Sequence, residues 1–273
     1  MKIESGFTMF DAIVLAGERR GENPLLARFD VPIKALIPVG GKPMVQRVVE
    51  GLWGSGCIER ILLCGPEKYI FQTMEEGATA IRSDSIQWVR NEPSPSQSAL
   101  KALRLAGGQA PILLTTADHA LLRPEIVRFF CEKADEAGYD LSVGLASMDL
   151  LKRSYPNAKR TSYRFRDGVF CSCNLFGFMN KRAFRAAEFW QMVEERRKKP
   201  LQVVGGFGWY WLLRYLTGTL SLRKALDRAS KVFGCSVGAV LMPFPEAAID
   251  VDTEEDWRLV ETIATRTADG RDA

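Results

Sequence analysis

The feature that most limits what this chain can become is a short apolar run, residues 12–16, that opens directly into a loop rich in glycine and arginine. An uninterrupted apolar run of that length reads as a strand buried on both faces, the kind found inside a parallel sheet with helices on either side. Gly17 and Gly21 let the backbone approach a ligand closely, and successive N–H groups in such a turn form a concavity that accepts anions. Arg19, Arg20 and, further on, Arg28 add positive charge. Lys34 and Lys42 follow, each within two residues of a proline that sets the local chain direction. A buried strand feeding such a loop suits a triphosphate. The plain alternative is an ordinary strand-to-helix turn whose basic side chains are only solvated.

The remaining elements follow from periodicity. Residues 44–53 carry Met44, Val45, Val48, Val49 and Leu52 on one helical stripe ended by Gly54 and Gly56, and residues 58–65 form a second buried strand. Strand, helix and strand in that order make a right-handed βαβ unit. Residues 66–74 read as helix or loop and 86–89 as a short strand. A Ser/Pro loop at 91–98 precedes a helix, with Ser96 as its expected cap. Residues 111–117 are the next buried strand, ending at Asp118. An acid at the carboxyl end of a central strand sits where open α/β sheets bind ligands, although capping the next helix is another use for it. Residues 124–137 read as a helix, 141–146 as a strand, and 160–178 as a β-hairpin turning at Asp167 and Gly168. Residues 237–242 form a last strand, and Thr253 with Asp256 starts a helix carrying Trp257, Val260 and Ile263.

Composition narrows the function. The 273 residues contain no linker-like run or internal repeat, so a single domain spanning 1–273 is expected, with a helical acceptor-side insertion at about 181–231. A net charge of +4 is too weak for nucleic-acid binding, and the one basic block, residues 196–199, suits a helix C-terminus. Six cysteines without a Cys-x-x-Cys pair, mostly in apolar stretches, point to reduced thiols and a cytoplasmic protein, as does the absence of a signal-peptide pattern at the N-terminus. Cys171 and Cys173 should share one strand face, too few ligands for a metal. His119 is the single histidine, which excludes a histidine-cluster metal site and argues against a Ser-His-Asp mechanism; beside Asp118 it either packs or meets a phosphate. Residues 201–220 hold one charge, Arg214, and the aromatic group Trp209, Tyr210, Trp211. A core or pocket-lining helix is the default there. An interfacial surface meeting a membrane or a lipid-linked acceptor is the alternative, while glycines and mid-run aromatics disfavour a span.

Leu15-Ala16-Gly17, followed by the stretch from Pro32, Ile33 and Lys34 to Gly40, Gly41, Lys42, Pro43 and Met44, resembles the signature of the nucleotidyltransferases of GT-A type fold. The sugar-1-phosphate nucleotidyltransferases and the MobA-like NTP transferases are among them. Glu18 stands where the usual pattern has a second glycine, and Ile33 is inserted before the lysine. The resemblance covers residues 10–145 and 249–265. It implies a three-layer α/β fold with a mainly parallel twisted sheet. It also implies Mg²⁺-dependent transfer of a nucleotidyl group from an NTP to a phosphorylated small-molecule acceptor, with release of pyrophosphate.

Residue by residue, the resemblance wraps Leu15, Ala16, Gly17, Glu18, Arg19 and Gly21 around the nucleotide and sets Gln97 and Ser98 at the base edge. It makes Lys34, Arg20 and Asp118 the catalytic set, with Lys42 supporting the loop. Asp118 and Asp250 would hold the metal. Asp252 is the rival to Asp250, and the two are expected to face opposite ways in an extended segment, so that one reaches the ion. Residues 173–177 are similar to the acceptor-lining strand, which makes Asn174 the acceptor candidate, with Arg164 at the hairpin tip. Which of Arg19, Arg20 and Arg28 is the loop arginine stays open, as do the base, the acceptor and the oligomeric state. Two rival readings remain. A GT-A glycosyltransferase using an NDP-sugar calls for Asp-x-Asp where Asp118-His119-Ala120 stands. A non-catalytic nucleotide-binding module gains support from Glu18.

Overall fold

The computed structural model describes residues 8–17, 24–67, 86–195 and 208–268. Strand β1 (Phe10–Leu15) lies at the centre of the sheet, with β4 (Ile58–Gly65) and β6 (Ile112–Thr116) parallel to it on either side. Beyond β4, β5 (Ile86–Arg90) continues the parallel run. On the other flank β9 (Gly168–Phe178) runs antiparallel between β6 and β7 (Leu141–Ser147), and β10 (Val237–Leu241) lies parallel to β7. The order is therefore β10-β7-β9-β6-β1-β4-β5, with β8 (Tyr163–Phe165) hydrogen-bonded to β9 off that path. The two-residue strands β2 (Pro38–Val39) and β3 (Lys42–Pro43) form a separate ribbon.

Helices cover both faces, and side-chain alternation along each strand shows why. Ala12, Val14, Ile61, Leu63 and Leu113 point to the core shared with α2 (Met44–Gly54) and α4 (Pro124–Ala137). Ile13, Leu62, Cys64, Ile112 and Leu114 point to the core shared with α3 (Pro95–Ala106) and α6 (Phe184–Glu195). Helix α8 (Leu222–Phe233) packs onto that second face through Leu226 and Phe233. The short helices α1 (Pro24–Phe29), α5 (Met148–Ser154) and α7 (Trp209–Leu216) lie among the connections, and α9 (Glu254–Ala268) ends the described chain. Helix α2 approaches the 119–123 turn so closely that a Cβ on Gly51 would lie 2.1 Å from the Leu122 carbonyl oxygen. The Thr253 cap forms as expected: its Oγ1 accepts from the Asp256 N–H at 3.2 Å, while Asp256 Oδ2 accepts from the Thr253 N–H at 2.9 Å. All six cysteines are free and buried, and Cys171 and Cys173 share the inner face of β9.

Three expectations need correction. Helix α3 is capped by Ser94, not Ser96, because Pro95 takes the first helical position and leaves the residue before it as the cap. The hairpin turns at Arg166 and Asp167, one residue early, since Phe165 and Gly168 are already paired and Gly168, at φ +151, opens β9. Helix α7 is neither core nor pocket-lining. None of its residues is buried, and Trp209, Tyr210, Leu213 and Leu216 are 60–70% exposed. Helices α3, α6 and α8 already cover that face of the sheet, so α7 docks on the outside, Tyr215 against Phe165 of β8. Residues 196–207, most of 66–74 and the loop residues 18–23 lie outside the described residues. Among the described residues no helix is long and apolar enough to cross a membrane.

Candidate functional site

The carboxyl ends of β1 and β6 open into a cleft of about 850 Å³. Leu15 and Gly17 line it on the β1 side, and a Cβ on Gly17 would press to 3.2 Å of Asn91, so glycine suits the close approach of the 91–98 loop. Ala16 is 4% exposed and anchors the strand end, its N–H donating to the Cys64 carbonyl at 2.7 Å. Ser98 also lines the cleft and its Oγ accepts from the Glu92 N–H at 2.8 Å; Gln97 is half-buried and is not among the lining residues. Glu18, Arg19, Arg20 and Gly21 lie outside the described residues.

Lys34 is positioned by its neighbours. Ile33, Ala35, Leu36 and Ile37 are all buried, so the turn at Lys34–Leu36 is pinned and only the lysine reaches into the cleft. Its Nζ donates to Asp118 Oδ2 and to Asp252 Oδ1, both at 2.6 Å. Burial alone would pull the ammonium pKa down, but Asp118 and then Asp252 more than offset it, leaving Lys34 above its usual range. Burial likewise pushes Asp118 up and Lys34 overcomes it, so the carboxyl sits below its usual range. The second Asp118 oxygen, Oδ1, is buried and makes no hydrogen bond among the described residues.

Asp250 enters from the segment before α9, which is tied to the site by the Val251 N–H donating to the Asp118 carbonyl at 3.1 Å. Arg160 binds Asp250 twice, through Oδ1 and the backbone carbonyl, and Asn174 Nδ2 donates to Oδ2 at 2.7 Å. Arg160 also lies 3.5 Å from Asp256. Burial first, then the neighbouring Asp118 and Asp252 charges, hold the Asp250 pKa up at about 6 against the pull of Arg160. The expectation that Asp250 and Asp252 face opposite ways fails: residues two apart in an extended chain share a face, with the fully buried Val251 turned inward between them. Both carboxylates line the cleft.

Asn174 reaches Asp250 because β9 bulges. Leu145 pairs with Ser172 and Val143 with Phe176, which leaves three β9 residues opposite Gly144, and Asn174 in their middle adopts φ +50. Asparagine is among the residues that tolerate that left-handed conformation.

Other expected residues lie elsewhere. Arg164 is exposed on β8 and is not among the cleft-lining residues. Arg28 is held by Glu254 and stacks on Trp257, 5.1 Å from the ring centroid. Lys42 pairs with Glu50 on α2 at 2.9 Å, a support for the ribbon. His119 is 1% exposed, and burial pushes its pKa down to about 4, so it packs as a neutral ring. Arg160 was not anticipated. It stands between elements with no motif around it, and only the fold brings it to Asp250. Among the described residues, no group of three or more His, Cys, Asp or Glu side chains is arranged to hold a metal ion by itself.

Comparison with known proteins gives consistent likenesses. The model of the MobA-like NTP transferase domain matches residues 12–150. The 2-C-methyl-D-erythritol 4-phosphate cytidylyltransferase of Nocardia farcinica is 30% identical over 96 residues, 34% of this chain and 40% of that protein. The 3-deoxy-manno-octulosonate cytidylyltransferase of Coxiella burnetii is 30% identical over 113 residues, 40% of this chain and 44% of that protein. The chain thus matches less than half the length of these curated relatives. A solved structure from Thermus thermophilus, described as a hypothetical transferase, superposes with a TM-score of 0.74 at 30% identity, covering 91% of this chain and 99% of that one.

Proposed function

Because the chain belongs to the MobA-like NTP transferase family, we propose that its cleft transfers a nucleotidyl group from an NTP to a phosphorylated small molecule. The observation that carries this reading is Lys34, clamped between Asp118 and Asp252 at the end of β6 with the Asp118 Oδ1 left unsatisfied beside it. A fixed cation beside an unpaired carboxylate oxygen at the mouth of the cleft is the chemistry that binding of a triphosphate together with a divalent cation would call for, and it supports this reading.

The donor set fits Mg²⁺, which prefers carboxylate oxygens and fills its remaining positions with water and phosphate. Asp118, through its unpartnered Oδ1, and Asp250 would hold it, and the three neighbouring carboxylates Asp118, Asp250 and Asp252 against Lys34 and Arg160 leave a net negative charge to attract it. When bound, the ion supplies charge neutralisation on the phosphate oxygens and a template for in-line displacement. The remaining work belongs to the chain. Lys34 neutralises charge at the α-phosphate from an already ordered position, so little reorganisation is needed as charge develops. Arg160 and Asn174 hold Asp250 in one orientation, which makes them positioning residues. The Gly17 backbone and the 91–98 loop bound the nucleotide side. No side chain needs to act as nucleophile, because the acceptor phosphate already carries the attacking anionic oxygen.

The test is pyrophosphate release with Mg²⁺ and each of CTP, UTP, GTP and ATP against a panel of sugar, polyol and lipid phosphates. CTP comes first, since both curated relatives are cytidylyltransferases. Acceptor-dependent release with one NTP supports the reading. Failure of every NTP to bind removes it.

A further inference from the structure

The cleft does not end at the carboxylates. It continues down the same sheet face beneath α6 and α8, where Val143, Phe176, Phe178, Trp190, Leu226 and Phe233 are among its lining residues. Val143 and Phe176 lie in interior strands, yet both are only half-buried. A side chain there normally disappears under a helix. Here α6 presents Ala186 and Ala187, and α8 presents Ala229, to the same space, and methyl groups are too short to fill it.

The alternation of β9 joins this pouch to the polar site. Asn174 meets Asp250 at the mouth, Phe176 is the next residue on that face, and Phe178 the one after. From Phe176 to Phe178 the paired strand rises roughly 7 Å, and the bulge carrying Asn174 lies above it at the mouth. The nucleotide side, with Leu15, Gly17 and the 91–98 loop, and the pouch side, with β9, β7 and α8, lie on opposite flanks of Asp118. Whatever enters the pouch therefore approaches the transferred group from the acceptor side.

We infer that the acceptor is a phosphate monoester with an apolar carbon skeleton, a prenyl or alkyl monophosphate, its phosphate at the mouth and its hydrocarbon in the pouch. The inference rests on the nucleotidyl-transfer reading and names the substrate class for it. Among the six side chains named above, only the Trp190 indole can donate a hydrogen bond, and none is charged. A sugar placed there would bury several hydroxyls without partners, which costs binding, whereas a hydrocarbon exchanges water for apolar wall. In the transfer step a phosphate oxygen of the acceptor forms a bond to the α-phosphorus. The bond from that phosphorus to the α,β-bridging oxygen breaks, its electron pair leaves with pyrophosphate, and the product is a nucleoside diphosphate esterified to the apolar chain.

Calorimetric titration of the whole protein tests this. Geranyl monophosphate and ribose phosphate are titrated into the wild type, Ala229→Leu and Ala229→Phe, with NTP titrated into each as a control. Geranyl monophosphate should bind about tenfold tighter than ribose phosphate or better. That advantage should shrink stepwise from Ala229→Leu to Ala229→Phe while NTP affinity holds. Equal or tighter binding of ribose phosphate, or geranyl binding indifferent to both plugs, overturns the apolar acceptor. In that case pyrophosphate release with ribose phosphate would leave nucleotidyl transfer standing. Absence of NTP binding to the wild type overturns the transfer reading itself, and the acceptor assignment with it.

Discussion

The two faces of the sheet are built from the same strands and meet opposite fates. On one face Leu52, Phe130, Ile61 and Leu63 are fully buried between strands and helices α2 and α4. On the other, α3 seals the β1–β4 end with Ala99 and Leu103, but α6 and α8 leave the region under β6, β9 and β7 hollow. Along β9 the division falls between adjacent residues: Cys173 and Leu175 are in the solid core, and Asn174 and Phe176 line the cleft. A close-packed face loses stability with every missing methylene, whereas a hollow face can change its side chains at little cost to the fold. One face therefore holds the sheet together and the other is free to carry ligand chemistry.

That contrast can be broken by mutation, and the largest effect belongs at the mouth of the hollow side. Asp118→Ala should lower turnover by about a thousandfold or more with the unfolding midpoint little changed; an active variant would remove Asp118 from the site. Next comes the solid face, where Phe130→Ala should cost about 3–5 kcal/mol in denaturant unfolding. Phe176→Ala, the same substitution on the hollow face, should cost only about 1–2 kcal/mol, because its ring already borders open space. Equal losses for the two would mean that the faces are packed alike. Lys34→Ala should weaken NTP binding by about tenfold, measured by titration, and unchanged affinity would exclude a contact with the triphosphate. The smallest effect is Thr253→Ala, which removes the α9 cap and should lower stability by about 1 kcal/mol.

The solid face was readable from sequence, and the reason is periodicity. Runs such as 12–16, 58–65 and 111–117, and the stripe from Met44 to Leu52, are local patterns that local physics obeys. The cleft positions of Lys34 and Asp118 were readable as well, Lys34 from the prolines on either side of its turn and Asp118 from the apolar run that ends at it. The hollow side was harder to read. Arg160 is met only through tertiary approach to Asp250, and the bulge that aims Asn174 depends on pairing with a distant strand. Helix α7 misled because an aromatic, nearly uncharged stretch normally signals burial, yet it lies outside a face already covered by other helices. The facing of Asp250 and Asp252 was within reach of the period-two rule, since residues two apart share a side.

The bulged strand β9 has a further consequence. Its one face carries both the asparagine that orients a carboxylate and the phenylalanines that wall the pouch, so mouth and floor are fixed to one backbone. Loops can swing, but from Phe176 to Phe178 the strand is hydrogen-bonded on both sides and cannot lengthen. The interior of this protein therefore contains a ruler, and a ligand that spans it is measured against a fixed gauge.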